Sequence, residues 1–128
     1  MIGGIKFFIK SKMKNKFIKI DLYHQRIYLT DESDAQKYCE NLDLSLYDAV
    51  TYTGYRERIC FYTKTNKDDI IVHECVHLAN FIIDRCGVYY TPRYDEALAY
   101  LVQEIYKKIK QILNVKEANM ACRGKKRK

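Results

Sequence analysis

Ile70-Ile71-Val72-His73-Glu74-Cys75-Val76-His77-Leu78-Ala79-Asn80-Phe81-Ile82-Ile83 is an apolar run broken chiefly by two imidazoles and a carboxylate. Residues 73–77 within it spell H-E-x-x-H. Residues four apart on an α-helix lie one turn apart on the same face, so His73 and His77 can aim ring nitrogens at one metal ion. Glu74, directly after the first histidine, then stands where it can take a proton from an attacking water and later deliver it to a leaving group. Imidazole pairs at this spacing suit Zn2+.

The plain alternative is a core helix whose histidines are satisfied by hydrogen bonds. Chance is a poor account of a pattern with three specified residues, two of them of a rare type. The flanks Ile71, Val72, Cys75, Val76, Leu78 and Ala79 are uncharged, as a helix through the middle of a small domain requires. His73, Glu74 and His77 then read as polar exceptions on a buried element, and a shared metal satisfies all three.

A zinc site needs a third protein ligand. A second helical pattern starts near Thr91-Pro92 and runs from Tyr94 through Asp95-Glu96-Ala97-Leu98-Ala99-Tyr100-Leu101-Val102 towards Leu113. Gly87 after Cys86 is the matching stop for the first helix, which leaves a short loop suited to an antiparallel pair. That pairing is expected to bring Glu96 near His77, with Ala97 and Ala99 allowing close approach. Glu96 is favoured as third ligand over Asp95, which can cap the helix or orient a ligand histidine. Without the first motif, the two acids would read as a first-turn pair favoured by the helix dipole.

H-E-C-V-H at 73–77 followed by D-E-A-L-A-Y at 95–100 resembles the gluzincin class of metallopeptidases in a minimal form, one active-site helix plus one glutamate helix. Small phage-encoded proteins show a similar layout, as does the zinc domain of the ImmA/IrrE family, whose glutamate helix also reads E-x-x-A. The resemblance covers roughly residues 50–113. It implies His73, His77 and Glu96 as metal ligands and Glu74 as general base. Tyr100 departs from it, since several gluzincins carry a supporting aspartate one turn after the glutamate. No third histidine follows His77, which argues against metzincins and SprT-like proteases. His24 lies far upstream and reads as structural or exposed.

A chain of 128 residues with 48% hydrophobic positions can bury one core unaided. Cys39, Cys60, Cys75, Cys86 and Cys122 form no C-x-x-C pair and are odd in number, so they read as reduced thiols in an intracellular protein. Lysines interrupt Met1–Ile20, which therefore lacks the apolar stretch of a signal peptide or membrane span. The net charge of +7 sits at the ends, in Lys6 to Lys19 and in Arg123 to Lys128. Such ends suit weak contact with nucleic acid or another polyanion but specify no sequence. The twelve tyrosines form no RNA-binding signature.

Elsewhere, Ile5–Ile9 and Phe17–Leu29 look strand-like and suggest an early hairpin. Thr30 or Asp31 can cap a short helix to about Leu42, and Val50–Tyr55 and Arg58–Lys64 read as strands around Gly54. The expected order is β-β-α-β-β-α-α. In peptidases of this type a sheet edge beside the active-site helix takes substrate as an added strand, and Ile59–Thr63 is the candidate for that edge.

The expected architecture is thus α+β and zincin-like: a small antiparallel or mixed sheet packed on the H-E-x-x-H helix and an antiparallel glutamate helix. Residues 1–122 are expected to form one domain and 123–128 a basic disordered tail. The expected activity is intracellular, zinc-dependent hydrolysis of peptide bonds in a peptide or protein substrate, with no membrane partner. Tyr89, Tyr90, Tyr94 and Tyr100 are the candidate donors to the oxyanion. Two other classes fit the same residues: an ImmA-like regulator acting on one dedicated partner, and a basic nucleic-acid-binding or virion protein with a structural H-E-x-x-H site.

Overall fold

A computed structural model describes residues 16–87 and 95–126. The described chain is α+β. Strands β1 (Phe17–Ile20) and β2 (Gln25–Leu29) form a hairpin, followed by helix α1 (Glu32–Tyr38). A second hairpin, β3 (Ala49–Thr53) and β4 (Ile59–Thr63), leads into helices α2 (Asp68–Arg85) and α3 (Asp95–Lys126). The order of letters matches the expectation, but Phe17–Leu29, expected as one strand of the early hairpin, is broken at Asp21–Tyr23 and supplies both β1 and β2. The early strand expected at Ile5–Ile9 and the helix start expected at Thr91-Pro92 lie outside the described residues.

Local chemistry sets most boundaries. Asp31 caps α1, its carboxylate accepting from the Asp34 N–H at 2.8 Å. Gly87 takes φ +71° just after the α2 C-cap Cys86, a left-handed conformation that glycine adopts without steric cost. At Gly54 the demand is proximity, because a Cβ there would lie 2.7 Å from the Cys60 sulfur. The α3 backbone continues to Lys126, past Leu113 and into the range expected as a tail. The side chains from Cys122 onward lie outside the described residues.

The four strands form one mixed sheet in the order β1-β2-β4-β3, with β2 and β4 parallel and the two hairpin pairs antiparallel. Side chains alternate across it, as the pleat requires. Ile18, Ile20, Ile27, Leu29, Ala49, Ile59 and Phe61 join Ile71, Cys75, Leu78 and Ile82 of α2 and Leu101, Ile105 and Ile109 of α3 in the main core. Val50, Tyr52 and Cys60 point the other way, where Ala35 of α1 and Leu44 close a smaller cluster.

This order corrects the expectation for Ile59–Thr63. That strand is β4, flanked by β2 and β3, and the edge of the sheet nearest α2 is β3. Burial decides which strand of the hairpin goes inside. Ile59, Cys60 and Phe61 are all buried, whereas Thr51 and Thr53 leave β3 partly polar. A continuous apolar run belongs in an interior strand, and here that run was legible in the sequence.

Helices α2 and α3 run antiparallel, since the start of α2 meets residues well along α3. Lys110 Nζ lies 2.8 Å from Asp68 Oδ1 and donates to the Asn66 carbonyl at 2.7 Å. Asn66 Nδ2 donates to Asn114 Oδ1 at 2.9 Å. The Lys110 ammonium, helped by Tyr106, holds the Asp68 carboxyl below its usual range, so this tie is present at neutral pH and is lost on acidification. Among the described residues no helix is long and apolar enough to cross a membrane.

Candidate metal centre

One stripe of α2 faces the core and the opposite stripe faces solvent. Ile71, Cys75, Leu78 and Ile82 recur at helical spacing and are fully buried, which turns Val72, His73, Val76 and His77 outward. This corrects the expectation that both histidines are buried. At about 100° per residue, positions 73 and 77 fall roughly opposite the Ile71–Ile82 stripe. Among the described residues Glu74 is the one buried charged side chain, at 8% exposure.

The imidazoles converge. His73 Nε2 and His77 Nε2 lie 3.2 Å apart, with the rings edge-on at 76°. Two nitrogens bound tetrahedrally at ~2.0–2.1 Å from one zinc ion stand ~3.3–3.4 Å apart, so the spacing suits a shared metal. The same spacing suits a single N–H···N hydrogen bond between the rings. Ligand atoms of His73, Glu74 and His77 all lie within 4.8 Å of one another, and among the described residues no other such group of three His, Cys, Asp or Glu side chains occurs. The donor set fits zinc: two exposed imidazole nitrogens with a carboxylate beside them.

Glu74 is fixed from the sheet. Thr51 Oγ1, on edge strand β3, donates to Glu74 Oε2 at 2.6 Å. Strand alternation aims Thr51 at α2 while its neighbours Val50 and Tyr52 point into the smaller cluster. One carboxylate oxygen is therefore held in place and the other remains available to a reacting proton. Sequence reasoning missed Thr51. It lies 23 positions from Glu74, and only the strand alternation hinted at its side.

We expect Thr51→Val, which keeps the shape and removes the donor, to lower any Glu74-dependent turnover about tenfold or more with metal content unchanged. Thr51→Ser should recover most of the loss. Equal turnover in Thr51→Val and the parent would show that Glu74 needs no such support.

The other candidates are placed less closely. Glu96 is exposed in the first turn of α3 and stands outside the His73–Glu74–His77 group. The antiparallel register accounts for this. Counting ~1.5 Å per residue from the Asp68–Lys110 tie, Glu96 lies ~7.5 Å, nearly one and a half turns, beyond the level of His77. The Asp95 side chain and Tyr89, Tyr90 and Tyr94 lie outside the described residues, and Tyr100 is exposed at 67%. His24 is exposed in the turn between β1 and β2, at φ 52°.

Thiol chemistry does not compete at this site. Burial, with a contribution from Glu74, pushes the Cys75 thiol up to about 12, and burial pushes Cys60 up to about 11. Both stay protonated near neutral pH, and the thiolate is the reactive form. Among the described cysteines none is in a disulfide.

Comparison with protein-family models, curated proteins and solved structures finds no match.

Proposed function

We propose that this chain is a zinc-dependent peptidase in which His73, His77 and Glu96 hold the metal and Glu74 is the general base. The observation that carries this reading is the convergence of two exposed ring nitrogens, 3.2 Å apart, beside a carboxylate that the sheet buries and anchors. A lone exposed histidine pair would need no such carboxylate.

When bound, zinc supplies Lewis acidity that polarises a carbonyl and acidifies water. The protein supplies the rest. Glu74 takes the proton of the attacking water and later hands it to the departing amine. Thr51 holds the carboxylate in one rotamer, so proton transfer is not delayed by side-chain search. Strand β3 pairs only with β4 among the described strands, so its other edge offers unpaired N–H and C=O groups to an extended peptide. A peptide laid there would run beside Thr51, next to Glu74. Val72 and Val76, exposed at 42% and 41% on the histidine face, give apolar side chains a place to rest.

Glu96 stands outside the His73–Glu74–His77 group, so in this reading metal binding draws the first turn of α3 towards His77. The decisive experiment is metal analysis of the purified protein beside peptide hydrolysis. The parent should carry one zinc per chain and cleave an unstructured peptide. His73→Ala and Glu96→Ala should lose the metal, and Asp95→Ala should keep it. Loss of metal in Asp95→Ala with retention in Glu96→Ala would move the third ligand by one residue. A parent protein that takes up no zinc would end the peptidase reading.

A further inference from the structure

The sheet face opposite the histidine pair carries a second site. A cavity of about 310 Å³ opens between α1 and the β3–β4 turn, lined by Tyr28, Tyr38, Tyr55, Lys37, Arg58 and Asp34 among others. Its volume lies at the lower end of the range for small-molecule pockets.

The charges in this cavity are unspent. The Arg58 guanidinium lies 4.5 Å from the Tyr28 ring centre and 5.3 Å from that of Tyr55. Lys37 Nζ stands 5.4 Å from the Tyr38 ring. Rings hold these cations in position by their quadrupoles without neutralising them. Among the described residues the carboxylate-paired lysines are Lys19, Lys108 and Lys110, and neither Lys37 nor Arg58 has an acidic partner. Arg58 is half-buried, and its planar fork of donors borders the cavity without an acceptor among the described residues.

Across the cavity Asp34 is held rigidly. Tyr52 donates its hydroxyl to Asp34 Oδ2 at 2.5 Å, and Thr30 Oγ1 lies 2.5 Å from the same hydroxyl. The second Asp34 oxygen, Oδ1, is left to accept from a ligand N–H. The site thus combines a guanidinium fork, a second cation at the rim, tyrosine walls and a fixed acceptor. Simple phosphate would use the cations and leave the rings and the carboxylate idle. An uncharged ring would do the reverse.

We propose that this cavity binds a nucleoside monophosphate. The phosphate pairs bidentately with Arg58 and is neutralised further by Lys37. The base lies against the tyrosines and gives an amino or imino N–H to Asp34. This site is separate from the proposed metal centre and does not depend on it.

The test is titration of the full chain with GMP, AMP, CMP and UMP, followed by protein NMR, with inorganic phosphate and guanosine as controls. At least one monophosphate should bind in the micromolar range and tenfold or more tighter than either control. Arg58→Gln should weaken it at least tenfold, Arg58→Lys should restore only part, and Tyr55→Leu should weaken the nucleotide but not inorganic phosphate. Both positions lie at the turn between β3 and β4, so the NMR spectrum should report an intact fold. His77→Ala should leave the affinity unchanged. The proposal is overturned if none of the four binds below about a millimolar, if Arg58→Gln binds as the parent does, or if His77→Ala abolishes binding.

Discussion

Glu74→Gln is expected to leave zinc content unchanged and to lower peptide hydrolysis by about a hundredfold or more, since positioned proton transfer commonly contributes that much. The substitution keeps side-chain volume and hydrogen-bonding capacity, so Thr51 Oγ1 can still donate to the remaining amide oxygen of residue 74. Neither imidazole is touched, and the 3.2 Å separation of their Nε2 atoms is preserved. What disappears is the carboxylate proposed to take and return the proton. Measurement of turnover beside metal content separates the two roles. Equal turnover in the parent and in Glu74→Gln would remove the general-base mechanism, whatever the metal content.

The largest effect on stability is expected at Phe61. It lies at 1% exposure on the interior strand β4, paired with Leu29 on one side and Thr51 on the other. Phe61→Ala removes a ring from the layer between the sheet and both long helices. Such truncations cost about 3–5 kcal/mol, a large share of the roughly 5–15 kcal/mol that holds a domain folded. A fall in melting temperature of about 10 °C or more should follow, read by circular dichroism. Tyr100→Ala on exposed α3 surface is the control and should change it little. If Phe61→Ala melts with the parent, the core is not centred on β4.

The two predictions draw on different parts of the molecule, yet β3 and β4 join them. Thr51 is paired with Phe61 across the hairpin, so the strand that anchors Glu74 is itself set by the most buried aromatic ring in the core. A core substitution that shifts β4 should therefore loosen Glu74 as well.

By itself the amino-acid sequence determined the elements and the chemistry of the motif. The spacing of His73 and His77 places both rings on one helical stripe, because 3.6 residues make a turn whatever surrounds the helix. Alternation in β1 and β2, the Asp31 cap and the Gly87 stop are local properties of the same kind, and each acts over a few residues. Tertiary structure alone decided what meets across the chain. It turned the histidine stripe outward and brought Thr51 to Glu74 across 23 positions. It also set Glu96 nearly one and a half turns beyond the level of His77, since the antiparallel register follows from packing of Leu101, Ile105 and Ile109 on the sheet and α2. Such relations depend on which apolar faces pair, and pairing is a property of the whole core, to which no short stretch of sequence has access.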